Sequence, residues 1–350
     1  MDQAAGSVYL QWSKTRRAVT YSLAASGVMP CEPSDLGISI RDIEINNAEM
    51  NGFHPLIEAI GNHHKVPAEC VVPASGTSMA NFLVMAALLH SGDEAIIEEP
   101  VYEPLLSIAR YLGAAIKRFS RTTNGETGLT AQMFTNRSRL VVLTNLHNPT
   151  CTELKPSEIQ RIAELAEQAG ARVLIDEVYL ECKYENAISA FRTDRRLICT
   201  GSLTKAYGLG GLRCGWILAE PDIVRRLRSL KDLIDPSANH TGEKLGTLAF
   251  HNLDRLAKRA KAIVDQNRAR LAEYLLSTPE LELTIPKFGS CLFPRLVSGN
   301  VDSLFQRLQE QYDTDFVPGR FFERPDHFRV GLGVSPEVFS EGLCRLSAAL

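Results

Sequence analysis

A lysine stands between an apolar segment and a glycine-rich turn in the stretch LICTGSLTKAYGLGGLRCGWI, and it is the first candidate for a reactive group. Lys205 has no other charged residue within five positions on either side. A poorly solvated lysine has a lowered pKa and can offer the neutral amine that forms Schiff bases with carbonyl compounds. Ser202 and Arg213 flank it and are suited to hold a phosphate by charge-assisted hydrogen bonds. A surface lysine in a mobile loop is the competing interpretation.

Further polar side chains follow apolar segments that are typical of buried strands. Asn148 follows the segment 139–146 within HNPT, and the segment 171–179 ends in DEVY, which contains Asp176 and Tyr179. Ligands of open α/β sheets gather at the carboxyl ends of the strands. Taken singly, Asn148 is also compatible with a turn and Asp176 with a helix cap. Their joint occurrence, in this order, favours a binding site.

A small-residue turn precedes the helix predicted at MANFLVMAALLH. Ser75, Gly76 and Thr77 form this turn directly after a short apolar run. A strand, a turn of small residues and a helix together point several backbone N–H groups at an anion. The same residues also make an ordinary helix N-cap, so the turn chemistry alone leaves both interpretations open.

The elements that must position these groups alternate between short apolar strands and helices. Strands so apolar, without polar alternation, are buried on both faces, which requires helices above and below a mostly parallel sheet. We therefore predict an α/β fold with a mostly parallel seven-stranded sheet and helices on both faces. The predicted strands are 70–72, 94–99, 114–120, 139–146, 171–179, 195–202 and 213–220, and two of the helices are 101–112 and 156–169, the latter capped by Ser157 and stopped by Gly170.

The pattern changes on both sides of this region. Residues 1–40 look like an irregular arm, whereas 242–276 reads as one long amphipathic helix, followed by short strands and helices. We predict a large α/β domain at 41–238 and a smaller α+β domain at 239–350, with the arm packing against the small domain.

Composition excludes several classes of protein. The chain has 350 residues, 45% of them hydrophobic, and a formal charge of -3, which provides no basic field for nucleic acid. No apolar stretch is long enough for a membrane helix, and the N-terminus lacks a signal core, so we expect a cytoplasmic protein. The eight cysteines form no CxxC pair and are interpreted as free thiols. We predict no metal: there is no HExxH pattern, and His63 and His64 are interpreted as solvated.

Over nearly its whole length the chain resembles the class I and II aminotransferases, which belong to fold type I of the pyridoxal-phosphate enzymes. The matching motifs, in the family's order, are SGT at 75–77, EEPVY at 98–102, NPT at 148–150, DEVY at 176–179, SLTK with Arg213 eight residues beyond the lysine, and FRVGLG at 328–333.

The resemblance implies pyridoxal 5'-phosphate as cofactor, bound as a Schiff base to Lys205. Asp176 would pair with the pyridine nitrogen and keep it protonated, while Asn148 and Tyr179 would bind the phenolic oxygen. Arg329 would hold the α-carboxylate of the substrate, and Asn148 would also contact the substrate. The remaining implied contacts are ring stacking by Tyr102 and phosphate binding by Ser75, Gly76, Thr77, Ser202 and Arg213.

The expected activity is exchange of an amino group between an amino acid and a 2-oxo acid, with Lys205 moving the α-proton. The alternative is a lyase of the same fold, either a β-eliminating carbon-sulfur lyase or an aminocyclopropane-carboxylate-synthase-like enzyme. A nucleotide-binding module at GLGG fails the GxGxxG spacing. The resemblance also implies a homodimer. Two departures from the family pattern concern Cys151, which replaces a glycine, and Asn47, which replaces a tyrosine that reaches across the dimer.

Overall fold

The computed structural model describes residues 6–46, 49–122 and 124–350. Its centre is a seven-stranded sheet with the strand order β1-β7-β6-β5-β4-β2-β3. Only β7 runs antiparallel to its neighbours, so the predicted mostly parallel seven-stranded sheet is confirmed. The strands are β1 Val71–Ser75, β2 Glu94–Glu99, β3 Ala115–Ser120, β4 Ser138–Thr144, β5 Arg172–Asp176, β6 Leu197–Ser202 and β7 Cys214–Leu218.

Both faces of the sheet are buried, which explains why its strands lack polar alternation. In β4, Val141 and Leu143 contribute to the core on one face, and Leu140 and Val142 to the core on the other. One face is covered by the helices His54–His64, Pro156–Gln168 and His240–His251, and the opposite face by Thr77–Leu88, Glu103–Tyr111 and Pro221–Ile234. The predicted helices on both faces are thus confirmed.

The antiparallel strand β7 brings one more segment to the edge of the sheet at which the parallel strands end, which we call the functional edge. The parallel strands end there at Ser75, Thr144, Asp176 and Ser202, whereas β7 begins there because it runs the opposite way. Residue pairing places Cys214 beside Ser75, so the residue before Cys214 lies at the same edge.

The C-terminal part packs several helices against short strands around a separate core. The prediction of one long helix over 242–276 is wrong: the structure has two helices there, His240–His251 and Leu253–Leu276. They are separated by Asn252, whose side chain donates to the Leu248 carbonyl at 2.9 Å, a local bond that favours a cap over a helix interior. The other elements are Leu281–Glu282, Cys291–Leu292, Arg295–Leu296, Val301–Gln311, Thr314–Asp315, Val317–Pro318, Phe328–Gly331 and Pro336–Ala349.

The N-terminal arm is more regular than predicted. It contains the helix Val8–Thr15, capped by the Ser7 hydroxyl, and the strand Tyr21–Ser22, which pairs with Thr314–Asp315. The segment 8–15 contains no glycine or proline, so these residues did not mark the bounds of the helix in the sequence. The domain boundaries 1–40, 41–238 and 239–350 stay a prediction, and Asn47 lies outside the described residues.

The start of the helix Pro156–Gln168 also differs from the prediction. Its N-cap is Lys155, and Pro156 occupies the first turn, where its missing N–H and fixed φ are well tolerated, so Ser157 lies inside the helix. The helix ends before Gly170, which adopts a φ of 68°. Across the described residues, no helix has the length and apolar character needed to cross a membrane. The short helical turns are Pro33–Leu36, Ile40–Asp42, Ala68–Cys70, Ala131–Met133, Leu180–Asn186, Ala190–Thr193, Thr204–Tyr207, Gly210–Leu212 and Gly319–Phe322.

Candidate active site

Lys205 lies in the short helix Thr204–Tyr207, directly beyond the carboxyl end of β6. Its Nζ donates a hydrogen bond to the Ser26 hydroxyl at 2.8 Å. Burial, reinforced by the nearby Arg329 guanidinium, lowers the pKa of Lys205 to about 8. At pH 7 roughly a tenth of such an amine is neutral, far more than for a solvated lysine.

Asp176 is the last residue of β5 and is buried. Its Oδ2 accepts from Asn81 Nδ2 at 2.7 Å and its Oδ1 from the Val178 N–H at 2.9 Å, while Thr200 Oγ1 donates to Asn81 Oδ1 at 2.6 Å. Burial raises the pKa of Asp176 to about 6, against the lowering effect of these hydrogen bonds. A carboxylate in this position is stabilised by a cation placed next to it.

The turn after β1 has the features of an anion site. Gly76 adopts a φ of 82° and a ψ of 169°, a backbone conformation that is essentially restricted to glycine, and it lies close to the Arg213 guanidinium. Thr77 begins the twelve-residue helix Thr77–Leu88, whose first N–H groups have no acceptor within the helix. Among the described residues, the buried Thr77 hydroxyl has no hydrogen-bond partner. Arg213 also donates to the Ser75 carbonyl at 2.9 Å.

The other phosphate candidate, Ser202, ends β6 and is buried beside this turn, since it pairs with Gly215 of β7. Its Oγ accepts weakly from the Thr204 N–H at 3.4 Å. The structure thus brings the turn at 75–77, Ser202 and Arg213 to one edge of the sheet.

Asn148 and Tyr179 follow β4 and β5, which are adjacent in the sheet. The Asn148 N–H donates to Thr144 Oγ1 at 2.9 Å, which fixes the turn after β4. Tyr179 is completely buried, and its hydroxyl has no partner in the part of the chain that the structure describes. A buried unpaired hydroxyl costs about 1–3 kcal/mol, so a ligand atom next to it would be stabilised.

Arg329 lies in the strand Phe328–Gly331 and is 1% exposed. Its two Nη atoms donate to neutral oxygens, to Asn148 Oδ1 at 3.3 Å and to the Tyr9 hydroxyl at 2.8 Å. Tyr102 stands at the N-terminus of the helix Glu103–Tyr111 with its ring edge-on to Tyr9, and burial raises the pKa of its hydroxyl. A buried guanidinium that is bonded only to neutral groups favours an anionic ligand.

Cys151, the residue that departs from the family pattern, contacts a second thiol. Its φ of 55° is left-handed, a conformation that favours glycine. Its Sγ lies 3.4 Å from that of Cys291, and both residues are buried. The hydrogen bond between them, together with burial, raises the pKa of Cys151, and the same bond lowers that of Cys291 to about 7, with Arg329 acting in the same direction.

Sequence reasoning missed four residues that contact the predicted site. Asn81 is the polar residue four positions after Thr77 in an otherwise apolar helix, and this spacing could have placed it on the same face. Tyr9, Ser26 and Cys291 come from distant segments, and no local pattern marks them.

The site suits a phosphorylated pyridine aldehyde. It offers a depressed-pKa amine at Lys205, a buried carboxylate at Asp176, the unpaired hydroxyls of Tyr179 and Thr77, and the helix N-terminus beside Arg213. The Lys205 amine suits an aldehyde, the Asp176 carboxylate a cationic ring nitrogen and the Tyr179 hydroxyl a phenolic oxygen, whereas the Thr77 hydroxyl, the helix N-terminus and Arg213 suit a phosphate.

The family model for aminotransferase class I and II matches residues 48–346, more than half of the chain. A capreomycidine synthase from Streptomyces vinaceus is 28% identical over 292 residues, covering 81% of this chain and 75% of its own. An aspartate aminotransferase from Sulfurisphaera tokodaii is 21% identical, covering 84% of this chain and 80% of its own. A crystal structure of a PLP-dependent aminotransferase from Streptococcus suis 89-1591 superimposes with a TM-score of 0.89 at 23% identity, over 97% of this chain and 96% of the other.

Proposed function

The chain belongs to the aminotransferase class I and II family, and from this premise we propose that its site exchanges an amino group between an amino acid and a 2-oxo acid with pyridoxal 5'-phosphate carried on Lys205. The observation that carries the proposal is the convergence of Lys205, Asp176, Tyr179 and Arg329 beside the anion-binding turn at 75–77. Bound pyridoxal phosphate supplies an electron sink for the electron pair left when the α-proton is removed.

The protein's own residues prepare this chemistry by holding charge. Asp176, fixed by Asn81 and the Val178 N–H, provides the negative charge that keeps a ring nitrogen protonated. Its pKa of about 6 arises from burial, and a cation beside it will lower that value again, so Asp176 stays ionised at neutral pH. Asn148 and Tyr179 bind the phenolic oxygen, and Tyr102 covers a face of the ring.

The phosphate is held at the functional edge of the sheet. The N–H groups of Thr77 and the residues after it point away from the helix, and the Thr77 hydroxyl is free to donate. Arg213 adds a cation whose direction is fixed by its bond to the Ser75 carbonyl, and Ser202 adds a second hydroxyl. Charge-assisted bonds of this kind are about twice as strong as neutral ones.

Lys205 would hold the cofactor and, as a free amine, would accept the α-proton of the substrate. Its lowered pKa of about 8 leaves a neutral amine available to accept that proton near physiological pH. Ser26, which accepts a hydrogen bond from Nζ at 2.8 Å, orients the amine. Arg329 binds the α-carboxylate, which gives its buried guanidinium the anion that the described residues do not provide at ion-pair distance.

The second candidate is elimination or ring formation by the same cofactor, as in the predicted lyase alternative. The relative named capreomycidine synthase favours it, because that name describes a product other than a 2-oxo acid. Removal of the α-proton is common to both candidates. They would differ in the fate of the electron pair left on the substrate: transamination would end in a 2-oxo acid, whereas elimination or ring formation would expel a leaving group from the substrate.

We also propose a homodimer and a cytoplasmic location. The segment before the helix His54–His64 exposes apolar side chains, among them Ile40 and Ile45, each 80% exposed, and Met50 at 62%. Exposed apolar side chains clustered in one segment are typical of protein interfaces. All eight cysteines are free, which fits a reducing compartment.

The experiment is a screen of amino acids and 2-oxo acids for half-reactions in the cofactor absorption spectrum. Transamination predicts stable conversion to the amine form of the cofactor and its reversal by a 2-oxo acid. Elimination or ring formation predicts product without that conversion. Borohydride reduction followed by peptide mapping tests the attachment site: an adduct on any lysine other than Lys205 overturns the assignment.

A further inference from the structure

A second polar cluster lies away from the proposed active site. We name it the histidine cluster, and its members are His63 and His64, at the end of the helix His54–His64, and Glu181, five residues beyond Asp176. His63 Nε2 lies 3.0 Å from Glu181 Oε2, and His64 Nε2 lies 3.9 Å from Glu181 Oε1. His64 is buried rather than solvated, which contradicts the expectation from the sequence.

The His64 ring has a free nitrogen that points into the cluster. The residue is 5% exposed, and Nε2 has no hydrogen-bond partner among the described residues. Leaving such a nitrogen unpaired in the interior is costly unless a ligand binds it.

Glu181 supplies the negative charge. Its side chain is only 2% exposed, and its Oε2 lies 3.0 Å from His63 Nε2. Tyr207 donates to Glu181 Oε2 at 2.9 Å and so fixes the direction of the carboxylate. Outer hydrogen bonds of this kind commonly orient metal-binding carboxylates.

We propose that the histidine cluster binds a divalent transition metal ion of the zinc class, with His63, His64 and Glu181 as ligands. Imidazole nitrogens and carboxylate oxygens are the ligands that such ions prefer. The three donor atoms already lie within 4.8 Å of one another. Ligands about 2.1 Å from a tetrahedral ion lie about 3.4 Å apart. The widest separation in the cluster, at most 4.8 Å, must therefore shrink by up to about 1.4 Å on binding, whereas His63 and Glu181, now 3.0 Å apart, must separate slightly.

The surroundings allow both this adjustment and the entry of an ion. The side chain of His63 is 25% exposed and lies in the last turn of its helix, so it can move toward the ion. His63 and Tyr207 also line a cavity of about 330 Å³, which gives an ion access to the cluster from the His63 side. The cavity also carries Asp254 and Glu185, which attract cations, and Lys258 and Lys261, which oppose them.

The role that follows is structural. The ion joins the helix His54–His64 to the segment Leu180–Asn186, which follows Tyr179. Through Tyr207 it also supports the short helix that carries Lys205. Binding therefore stabilises the elements behind the cofactor without touching the substrate.

The test uses the cofactor-loaded enzyme after dialysis against a chelator. Titration with Co²⁺ is expected to produce the visible absorption of a four-coordinate ion at one equivalent, and Zn²⁺ is expected to abolish it by displacement. Zn²⁺ at 100 times its Kd is expected to raise Tm by about 5 °C. Absence of both signals in the wild-type enzyme overturns the proposal.

Two variants on the same helix localise the site. His63→Gln keeps the size of a half-buried side chain but removes a ligand, and Co²⁺ affinity is expected to fall by at least about 100-fold. His54→Gln is the matched control, because His54 is exposed and lies 3.5 Å from Glu58 in a comparable histidine–glutamate pair. Equal Co²⁺ affinity in a folded His63→Gln enzyme, judged by circular dichroism and the cofactor spectrum, would place the ion elsewhere and refute the assignment.

Discussion

Replacing Arg329 by glutamine tests separately what this buried cation contributes to substrate binding and what it contributes to the stability of the free enzyme. The guanidinium is 1% exposed and bonded to Asn148 Oδ1 and the Tyr9 hydroxyl, both neutral. If its partner is the substrate α-carboxylate, the substitution will weaken substrate binding severely. It will affect the free enzyme far less, because no protein ion pair is broken.

The binding loss follows from the burial of the pair. Truncating one partner of a buried, hydrogen-bonded charge pair costs about 2–5 kcal/mol, which corresponds to a fall of about 30-fold to several thousand-fold in kcat/KM for amino acids. A primary amine without an α-carboxylate does not use Arg329. Its conversion, however slow, should change by less than about threefold, which is about 0.6 kcal/mol.

The effect on stability should be small because two terms oppose each other. The lost hydrogen bonds to Asn148 and Tyr9 cost about 1–3 kcal/mol each, and glutamine can remake one of them. Removal of an unpaired buried cation stabilises the folded protein by several kcal/mol. We expect the free energy of unfolding to change by less than about 1 kcal/mol, whereas breaking a genuine buried ion pair costs about 3–5 kcal/mol.

The pKa of Lys205 provides an independent test of the charge on Arg329. Arg329 helps to hold the pKa of Lys205 at about 8, so its removal should raise that pKa toward the ordinary lysine value. In the cofactor-free enzyme, the pH dependence of acetylation at Lys205 reports this value, and the midpoint should move to higher pH in Arg329→Gln.

The assays are steady-state kinetics with paired amino acid and amine substrates, urea unfolding, and the acetylation profile. Arg329→Lys is the control that keeps the charge but lacks the two-pronged geometry, so it should recover part of the amino acid affinity and leave the pKa of Lys205 near 8. Equal losses for the amino acid and the amine would refute the carboxylate role. A stability loss of 3 kcal/mol or more would show that Arg329 has a protein counter-ion.

Three further predictions concern separate parts of the chain. Asp176→Asn should slow removal of the α-proton by about 10²-fold or more while the cofactor stays bound, because the charge on the ring nitrogen is lost but the phosphate contacts remain; single-turnover rates and cofactor content measure the two effects. Cys151→Gly should be about 1 kcal/mol more stable than Cys151→Ala in urea unfolding, the reverse of the usual order, because a φ of 55° suits glycine. The protein should sediment as a homodimer at micromolar concentration, and Ile45→Lys should weaken the dimer more than the equivalent change at Leu276, which is 90% exposed elsewhere; a fully active monomer would contradict the assembly.

The sequence predicted the sheet because each strand carries its own signal. Unbroken apolar runs such as 140–143 require burial on both faces, and this burial fixes helices above and below. The same runs locate Asp176, which ends one, and Lys205, which lies a few residues beyond another, at the ends of strands; their roles stay predictions. The break at Asn252 was not predictable from periodicity, because the apolar spacing continues through it and only the side-chain bond to Leu248 stops the helix.

The residues that escaped prediction share a physical cause. Tyr9 and Ser26 lie 320 and 179 positions from the side chains they bind, Arg329 and Lys205, and no local pattern encodes such contacts. Both come from the N-terminal arm, so the arm completes the site as well as covering it. If a substrate carboxylate takes both Nη atoms of Arg329, it must replace the bonds to Tyr9 and Asn148, and a cofactor joined to Lys205 would change the bond to Ser26. The arm is therefore expected to change its contacts at two points, Tyr9 and Ser26, if cofactor and substrate bind as proposed.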